Sequence, residues 1–521
     1  MNEGAMQRYA LTLNKFLDHA AKWHPRAVVV TAAGDGTVER SDYATLRRRA
    51  RRVSALLARR GIGKGDRVAT LAWNSRAHME VWYGIMGMGA VCHTLNPRLT
   101  AEQSAEMARQ SGATVLVASA DLALLAERIA KLTPEVESLF IIDGEGRLPG
   151  LNAALEEVEE EAAGWGEFDE NLASGLCFTS GTTGAPKGVL YSHRSGYLHT
   201  LRLLQADVIG LTSAETVLVA VPMFHANAWG LPFAAPAVGA RMVLPGRYLD
   251  GASLTRLMAR EGVTLAVGVP TVWLGVLDHI EEEGGELPSL KRILVGGAPM
   301  PAALMKRLEQ RLGVVVQTSW GMTELSPLGS ITPVSEPERD AASAGRVAVG
   351  VDLLLTDEYG TALPRQRDVE GHLRVRGPAV VAQYLGQQDS ALDAQGWFAT
   401  GDLARLDEDG RLTITGRAKD LIKSGGEWIN PAELEAIANA LPQIAQVAVI
   451  GRADPRWGER PLLVVETKAD QNIEDQEILD AMRGRVASWW LPDSVVRVAR
   501  MPLAATGKID KKRLRAAYGQ V

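Results

Sequence analysis

The 521-residue chain reads as α/β: a large N-terminal region of parallel-sheet subdomains, a β-rich subdomain that closes it, and a small C-terminal α+β domain. Three observations predict this. Apolar strand-like runs alternate with amphipathic helical runs from Leu11 to about Asn171, the pattern of parallel sheet with helices on its faces. Further along, apolar strands open into glycine-rich turns, as at Gly296 and Gly321, and such turns are where open α/β sheets bind ligands. The length also exceeds what one core can serve.

Composition narrows the class. A net charge of −6 gives no electrostatic support for a general nucleic-acid role. The two cysteines, Cys92 and Cys177, lack metal-ligand spacing and fit a reduced cytoplasm. No run approaches the roughly 18 apolar residues of a membrane span, and the N-terminus lacks an apolar secretion segment. A cytoplasmic enzyme without an integral membrane segment is expected, with peripheral membrane contact left open.

In order, Ser41-Asp42 caps a helix with Leu46, Val53, Leu56 and Leu57 on its apolar stripe, and the Arg47–Arg52 cluster reads as its solvated face. A strand at Arg67–Ala72, a helix around His78–Gly87, a strand at Ala90–Leu95, a helix through Thr100–Gln110 and a strand at Ala113–Ala118 follow. The acidic run Glu156–Glu161 reads as a solvated helix segment or loop. Later strands are expected at Ala214–Pro222, from Thr264, at Lys291–Val295 and at Val314–Thr318. Ala344 to about Arg376 is β-rich. The remainder reads as a helix from Pro431, strands at Val447–Ile450 and Leu462–Thr467, and a helix from Asp475.

The chemistry concentrates in Thr179-Ser-Gly-Thr-Thr-Gly-Ala-Pro-Lys-Gly188, placed between two apolar runs and so expected to join two strands. Gly181, Gly184 and Gly188 let backbone approach a phosphate. The hydroxyls of Thr179, Ser180, Thr182 and Thr183, backbone N–H groups and Lys187 are all donors, which together make an anion-binding concavity. Pro186 stands where the common ATPase loop needs its second glycine, and no helix-opening Lys-Ser/Thr follows, so a P-loop kinase or hydrolase is disfavoured.

This loop resembles the phosphate-loop signature of the AMP-forming adenylating enzymes, and an ordered series of further motifs carries the resemblance to the end of the chain. The resemblance is to the acyl-CoA synthetase branch, including fatty acyl-CoA and 3-methylmercaptopropionate ligases. It implies ATP-dependent activation of a carboxylic acid as acyl-AMP, with pyrophosphate released, then transfer of the acyl group to CoA. The expected acid is a medium- to long-chain fatty acid; short-chain acids of the 3-methylmercaptopropionate type and aryl acids are the alternatives. Magnesium is the expected metal, and homodimerisation follows by analogy.

The resemblance also assigns residues. Pro222-Met-Phe-His225 and Trp229-Gly230 line the acid pocket, with Trp229 as a candidate gate, and Gly268, Pro270, Gly296 and Gly321 form its next walls. Gly297, Ala298, Pro299, Thr318, Trp320, Gly321, Met322 and Thr323 take the nucleotide, and Glu324 takes magnesium. Position 320 is Trp where the family usually has Tyr, a larger ring without the phenol. Asp402 accepts from the ribose, assisted by Arg417. Residues 1–416 form the large domain and 417–521 the small one, hinged at Lys419. Lys508 is the catalytic lysine, with Thr179, Glu324 and His225 as its catalytic company. Lys423, Ser424, Gly425, Gly426, Glu427 and Trp428 serve the CoA step.

Overall fold

A computed structural model describes residues 5–142, 148–160, 164–179, 186–425, 427–468, 471–504 and 508–520. Among them lie four sheets. A six-stranded sheet runs Ser138–Ile141, Val115–Ala118, Arg67–Leu71, Val91–Thr94, Ala173–Phe178, Gly188–Ser192; all neighbours are parallel except the last pair. A nine-stranded sheet has a parallel centre, Val315–Gly321, Arg292–Val295, Leu265–Gly268, Thr216–Val219, Arg241–Leu244, Val28–Ala32, with antiparallel strands at both edges. The expected alternation is therefore present, and its strand centres are short buried apolar runs, as parallel sheet covered on both faces requires.

The helix Arg76–Gly87 is buried from Ala77 onward, because it packs between the two large sheets. Trp82 stacks on Phe233 at 5.7 Å, and Tyr83 donates to the Pro232 carbonyl at 2.8 Å. Glu80, fully buried on this helix, is neutralised by Arg76 and by Arg49 Nε at 2.8 Å. Arg47 pairs with Asp18. The arginine cluster of the capped helix Tyr43–Arg59 is thus partly an ion-pair seam rather than a wholly solvated face. Spacing alone could not reveal its distant carboxylates.

Four histidines, His78, His93, His193 and His199, are buried in the N-terminal region. Burial pushes His78 down to about 4, and His93 and His193 down to about 3, from the ordinary 6.5. The unfolded chain therefore binds more protons below pH 6.5. Stability is full above that pH and falls as pH drops toward 3, by about 2 kcal/mol per histidine at pH 5. Thermal melts at pH 7 and pH 5 should show a clear loss at the lower pH.

The third sheet is the expected β-rich unit: Asp352–Thr356, Glu370–Arg376, Phe398–Leu406 and Leu412–Arg417, all antiparallel. Its last strand ends at Arg417, and the short turn Ala418–Asp420 leads to the fourth sheet. There Ile422–Ser424 and Glu427–Ile429 form a small hairpin beside the long pair Ile444–Asp454 and Gly458–Thr467. That pair runs further than Val447–Ile450 and Leu462–Thr467, since its ends are largely polar and half-exposed and carry no continuous apolar signal. No helix among the described residues is long and apolar enough to cross a membrane.

Candidate active site

The first wall of the cleft is the neck of the phosphate loop. Strands Ala173–Phe178 and Gly188–Ser192 pair antiparallel, as expected for the segments that the loop joins. Thr179 N–H donates to the Lys187 carbonyl at 2.9 Å, and Lys187 N–H to Thr179 Oγ1 at 3.3 Å. Ser180, Gly181, Thr182, Thr183 and Gly184 lie outside the described residues, as does Gly426.

The second wall is Trp320–Leu325. Gly321 is required there: a Cβ would run into the Pro327 backbone, whose carbonyl accepts from Met322 N–H at 3.0 Å. Thr323 and Glu324 are buried, and the Thr323 carbonyl accepts from Tyr191 Oη at 2.8 Å. Thr318, two residues earlier on the same strand, turns its hydroxyl to the Ser343 carbonyl and to Thr332. That hydroxyl is engaged inside the fold.

Asp402 and Arg417 meet because they are directly opposed in the antiparallel ladder. Arg417 Nε lies 2.6 Å from Asp402 Oδ1. The contact is close but not aligned as a hydrogen bond, so Oδ1 is a buried acceptor with none of its hydrogen-bonding capacity used. Oδ2 accepts from Trp320 Nε1 at 2.9 Å. The Trp that departs from the usual Tyr thus supplies an indole N–H that anchors the carboxylate. Burial raises the Asp402 pKa, and Arg417, Trp320 and Lys508 oppose that rise.

Lys508 reaches into this cleft from the C-terminal region, next to the Leu503–Ile509 bridge. It is crowded by protein yet keeps contact with solvent, as a side chain lying along an open cleft does. Burial lowers its pKa, Arg417 and Lys419 lower it further, and the carboxylates of Asp402 and Glu324 oppose them. His225 is within reach of the same ammonium: burial and Lys508 push it down to about 4, so it is neutral at physiological pH. Lys508, Asp402, Arg417, Glu324 and His225 form one electrostatic cluster.

Beyond His225 the backbone does something that sequence gave no sign of. Ala226, Asn227, Ala228 and Trp229 all hold positive φ, between 44° and 55°, and Gly230 follows at 79°. A left-handed run of non-glycine residues costs roughly 1–2 kcal/mol per residue. The run sets Trp229 against the turn Gly296–Gly297, where a Cβ on Gly296 would lie 3.0 Å from Trp229 Cη2. The space beside Gly268 is filled by the buried Trp273, and that beside Gly230 by His199. Of those three glycines, Gly296 borders Trp229. Ala298 and Pro299 continue the turn, and Pro270 opens the helix Pro270–Glu283.

Of the residues expected to serve the CoA step, Lys423, Ser424, Glu427 and Trp428 lie in the hairpin of the fourth sheet. Gly425 donates to the Trp457 carbonyl at 2.8 Å, and a Cβ there would lie 2.8 Å from the Trp457 ring. Lys423 lies over the exposed Trp428 ring at 5.2 Å, and Ser424 Oγ accepts from Arg460 at 3.2 Å. Glu427 is exposed. Lys419 sits in the connecting turn, where Asp420 pairs with Arg515 at 2.7 Å. Two residues here escaped the sequence reading. Trp457 carries no motif of its own, and Tyr384, which donates to Glu324 Oε1 at 2.9 Å, lies between motifs.

The family model described as AMP-binding enzyme matches residues 17–385, and the model for the AMP-binding enzyme C-terminal domain matches 433–508. A 3-methylmercaptopropionyl-CoA ligase of Ruegeria lacuscaerulensis is 42% identical, over 99% of this chain and 98% of its own. A medium-chain-fatty-acid–CoA ligase of Ectopseudomonas oleovorans is 41% identical, over 99% and 98%. The structure of ATP-bound MatB from Rhodopseudomonas palustris superposes with a TM-score of 0.87 at 27% identity, covering 98% of this chain and 99% of that one. The chain belongs to the AMP-binding enzyme family, in its acyl-CoA synthetase branch.

Proposed function

We propose that the chain is an AMP-forming acid–CoA ligase for aliphatic acids, and that the cluster around Lys508 performs the first of its two steps. The observation that carries this is the meeting of Asp402 and Arg417 of the third sheet, Glu324 of the turn after Val315–Gly321, and Lys508 of the C-terminal region, at one cleft. A carboxylate is a poor electrophile, and its approach to a triphosphate is repulsive. Fixed positive charge and oriented donors must offset that repulsion. Lys508 would bridge the carboxylate and α-phosphate, the Thr179–Gly188 loop would hold the departing phosphates, and the unused Oδ1 of Asp402 would accept from the ribose. His225, neutral, would line the acid's path without adding charge.

Glu324 fits magnesium. It is a buried carboxylate with one oxygen engaged by Tyr384, and no set of three or more His, Cys, Asp or Glu side chains converges among the described residues. One carboxylate completed by substrate phosphates is the donor set this ion accepts. When bound, it would neutralise charge on the triphosphate.

For the second step, residues beyond Lys419 would rotate about it, withdrawing Lys508 and presenting the Gly425–Trp428 hairpin to the CoA thiol. The acid is proposed to be medium- to long-chain, its tail admitted when Trp229 swings away. A short-chain substrate of the 3-methylmercaptopropionate type is the second reading. It is favoured by the seat of Trp229 against Gly296.

AMP release with ATP, magnesium and CoA across acids from propionate to palmitate, with 3-methylmercaptopropionate and cinnamate included, tests both readings. In the gate reading Trp229→Ala leaves long acids active and loses discrimination by length. In the closed-pocket reading it admits acids of eight carbons or more that the wild type rejects, with a gain of about tenfold or greater, since each further methylene buried is worth ~0.8 kcal/mol. No AMP from any acid refutes the proposal.

A further inference from the structure

Tyr384 stands between two opposite charges that the proposed chemistry uses separately. Its hydroxyl donates to Glu324 Oε1 at 2.9 Å, and Lys187 Nζ lies 4.8 Å from the centroid of its ring. The segment that carries it is tied to both of those neighbours by backbone. Val381 N–H donates to the Glu324 carbonyl at 2.8 Å, and Leu385 N–H to the Gly188 carbonyl at 2.8 Å. Ser326 Oγ adds a bond to the Ala379 carbonyl at 2.9 Å. Residues 379–385 therefore brace the exit strand of the phosphate loop against the Glu324 turn, and Tyr384 points its two functional parts, ring and hydroxyl, at the two charges they carry.

The chemistry of a phenol suits this place. The O–H donates one hydrogen bond and so fixes one edge of a carboxylate without neutralising it. The ring face attracts an ammonium without taking its proton or its charge. A carboxylate in the same position would neutralise Lys187, and an ammonium would neutralise Glu324. Were the position aliphatic, nothing would hold the exposed Lys187 away from Glu324, and a direct ion pair would withdraw both from substrate. We infer that Tyr384 is a positioning residue for the phosphate and magnesium end of the site: it aims Glu324, leaves one of its oxygens for the metal, and parks Lys187 where the phosphates arrive. This rests on the adenylation reading above.

Two variants separate the two parts. Tyr384→Phe keeps the ring and loses the hydroxyl. The magnesium concentration for half-maximal ATP–pyrophosphate exchange should rise about tenfold, the size of one hydrogen bond to a charged group. By calorimetry, ATP affinity without magnesium should stay within twofold of wild type, while the gain in affinity on adding magnesium shrinks by a similar factor. Tyr384→Leu, which also loses the ring, should in addition weaken magnesium-free ATP binding. Conversion of supplied acyl-AMP to thioester should be unchanged in both. If Tyr384→Phe shows wild-type magnesium dependence in exchange and in calorimetry, the inference is wrong. Equal loss in the thioester step, or a lowered melting temperature with no change in magnesium dependence, reduces the residue to a structural brace. Failure of wild type itself to form acyl-AMP from any acid strikes the adenylation reading instead, so the two failures are distinguishable.

Discussion

Lys508→Ala should lose acyl-AMP formation by at least ~10²-fold, the effect of removing one preorganised charge contact from a transition state. The same variant should convert supplied acyl-AMP and CoA to thioester at near wild-type rate. The split follows from where the lysine sits. Its ammonium shares the cleft with Asp402 and Glu324, beside the proposed phosphate site, and it would leave with the C-terminal sheet before the thiol arrives. ATP–pyrophosphate exchange measures the first step, and thioester formation from synthetic acyl-AMP the second. Near-normal exchange in the variant would remove Lys508 from the mechanism. The lysine acts protonated, and burial lowers its pKa below 10.5, so exchange should decline on the alkaline side earlier than an ordinary lysine would allow.

Asp402→Ala should raise the KM for ATP by about 10²-fold, through two hydrogen bonds from ribose to a charged acceptor at roughly 1.5–3 kcal/mol each, partly recovered by water. The carboxylate is 1% exposed, fixed by Trp320 on one oxygen, and set opposite Arg417 by the ladder. Asp402→Asn, which keeps one acceptor oxygen, should lose less. Burial raises the pKa of Asp402, so ATP binding should weaken in acid at a pH above the usual carboxylate range. Steady-state kinetics in ATP at saturating acid, repeated from pH 7 downward, checks both. An unchanged KM in Asp402→Ala would place the ribose elsewhere.

Elements whose signal is local were legible from sequence. Asp42 caps its helix through Thr45 N–H, Thr100 closes a capping box with Gln103, and Pro431 opens the C-terminal helix Pro431–Asn439. The apolar parallel strands stood out for the same reason. Residues assigned by motif also proved to be neighbours: Asp402, Arg417, Glu324 and Lys508 are separated by up to 184 positions yet share one cleft. What stayed hidden depends on partners far along the chain. Nothing near Trp320 announces that its N–H will meet Asp402, and nothing near Gly230 says that His199 will occupy the space beside it. Tyr384 went unread because its meaning lies in two residues, one about sixty positions back and the other nearly two hundred.

The left-handed turn Ala226–Trp229 bears on how sharply the proposed acid pocket would measure. Glycine would adopt those angles without steric penalty, yet the chain keeps Ala-Asn-Ala-Trp there. A glycine run would let the wall wander among many shapes, blurring the boundary between acids that differ by a carbon or two. With side chains present, few other backbone shapes are open to the segment, and the surrounding packing selects this one: Ala226 and Ala228 are buried, and Asn227 accepts from Cys177 Sγ at 3.7 Å. The wall is therefore stiff, and any movement of Trp229 is a switch between discrete states. Chain-length preference in such a pocket should change in a step, at the carbon whose addition first forces that switch.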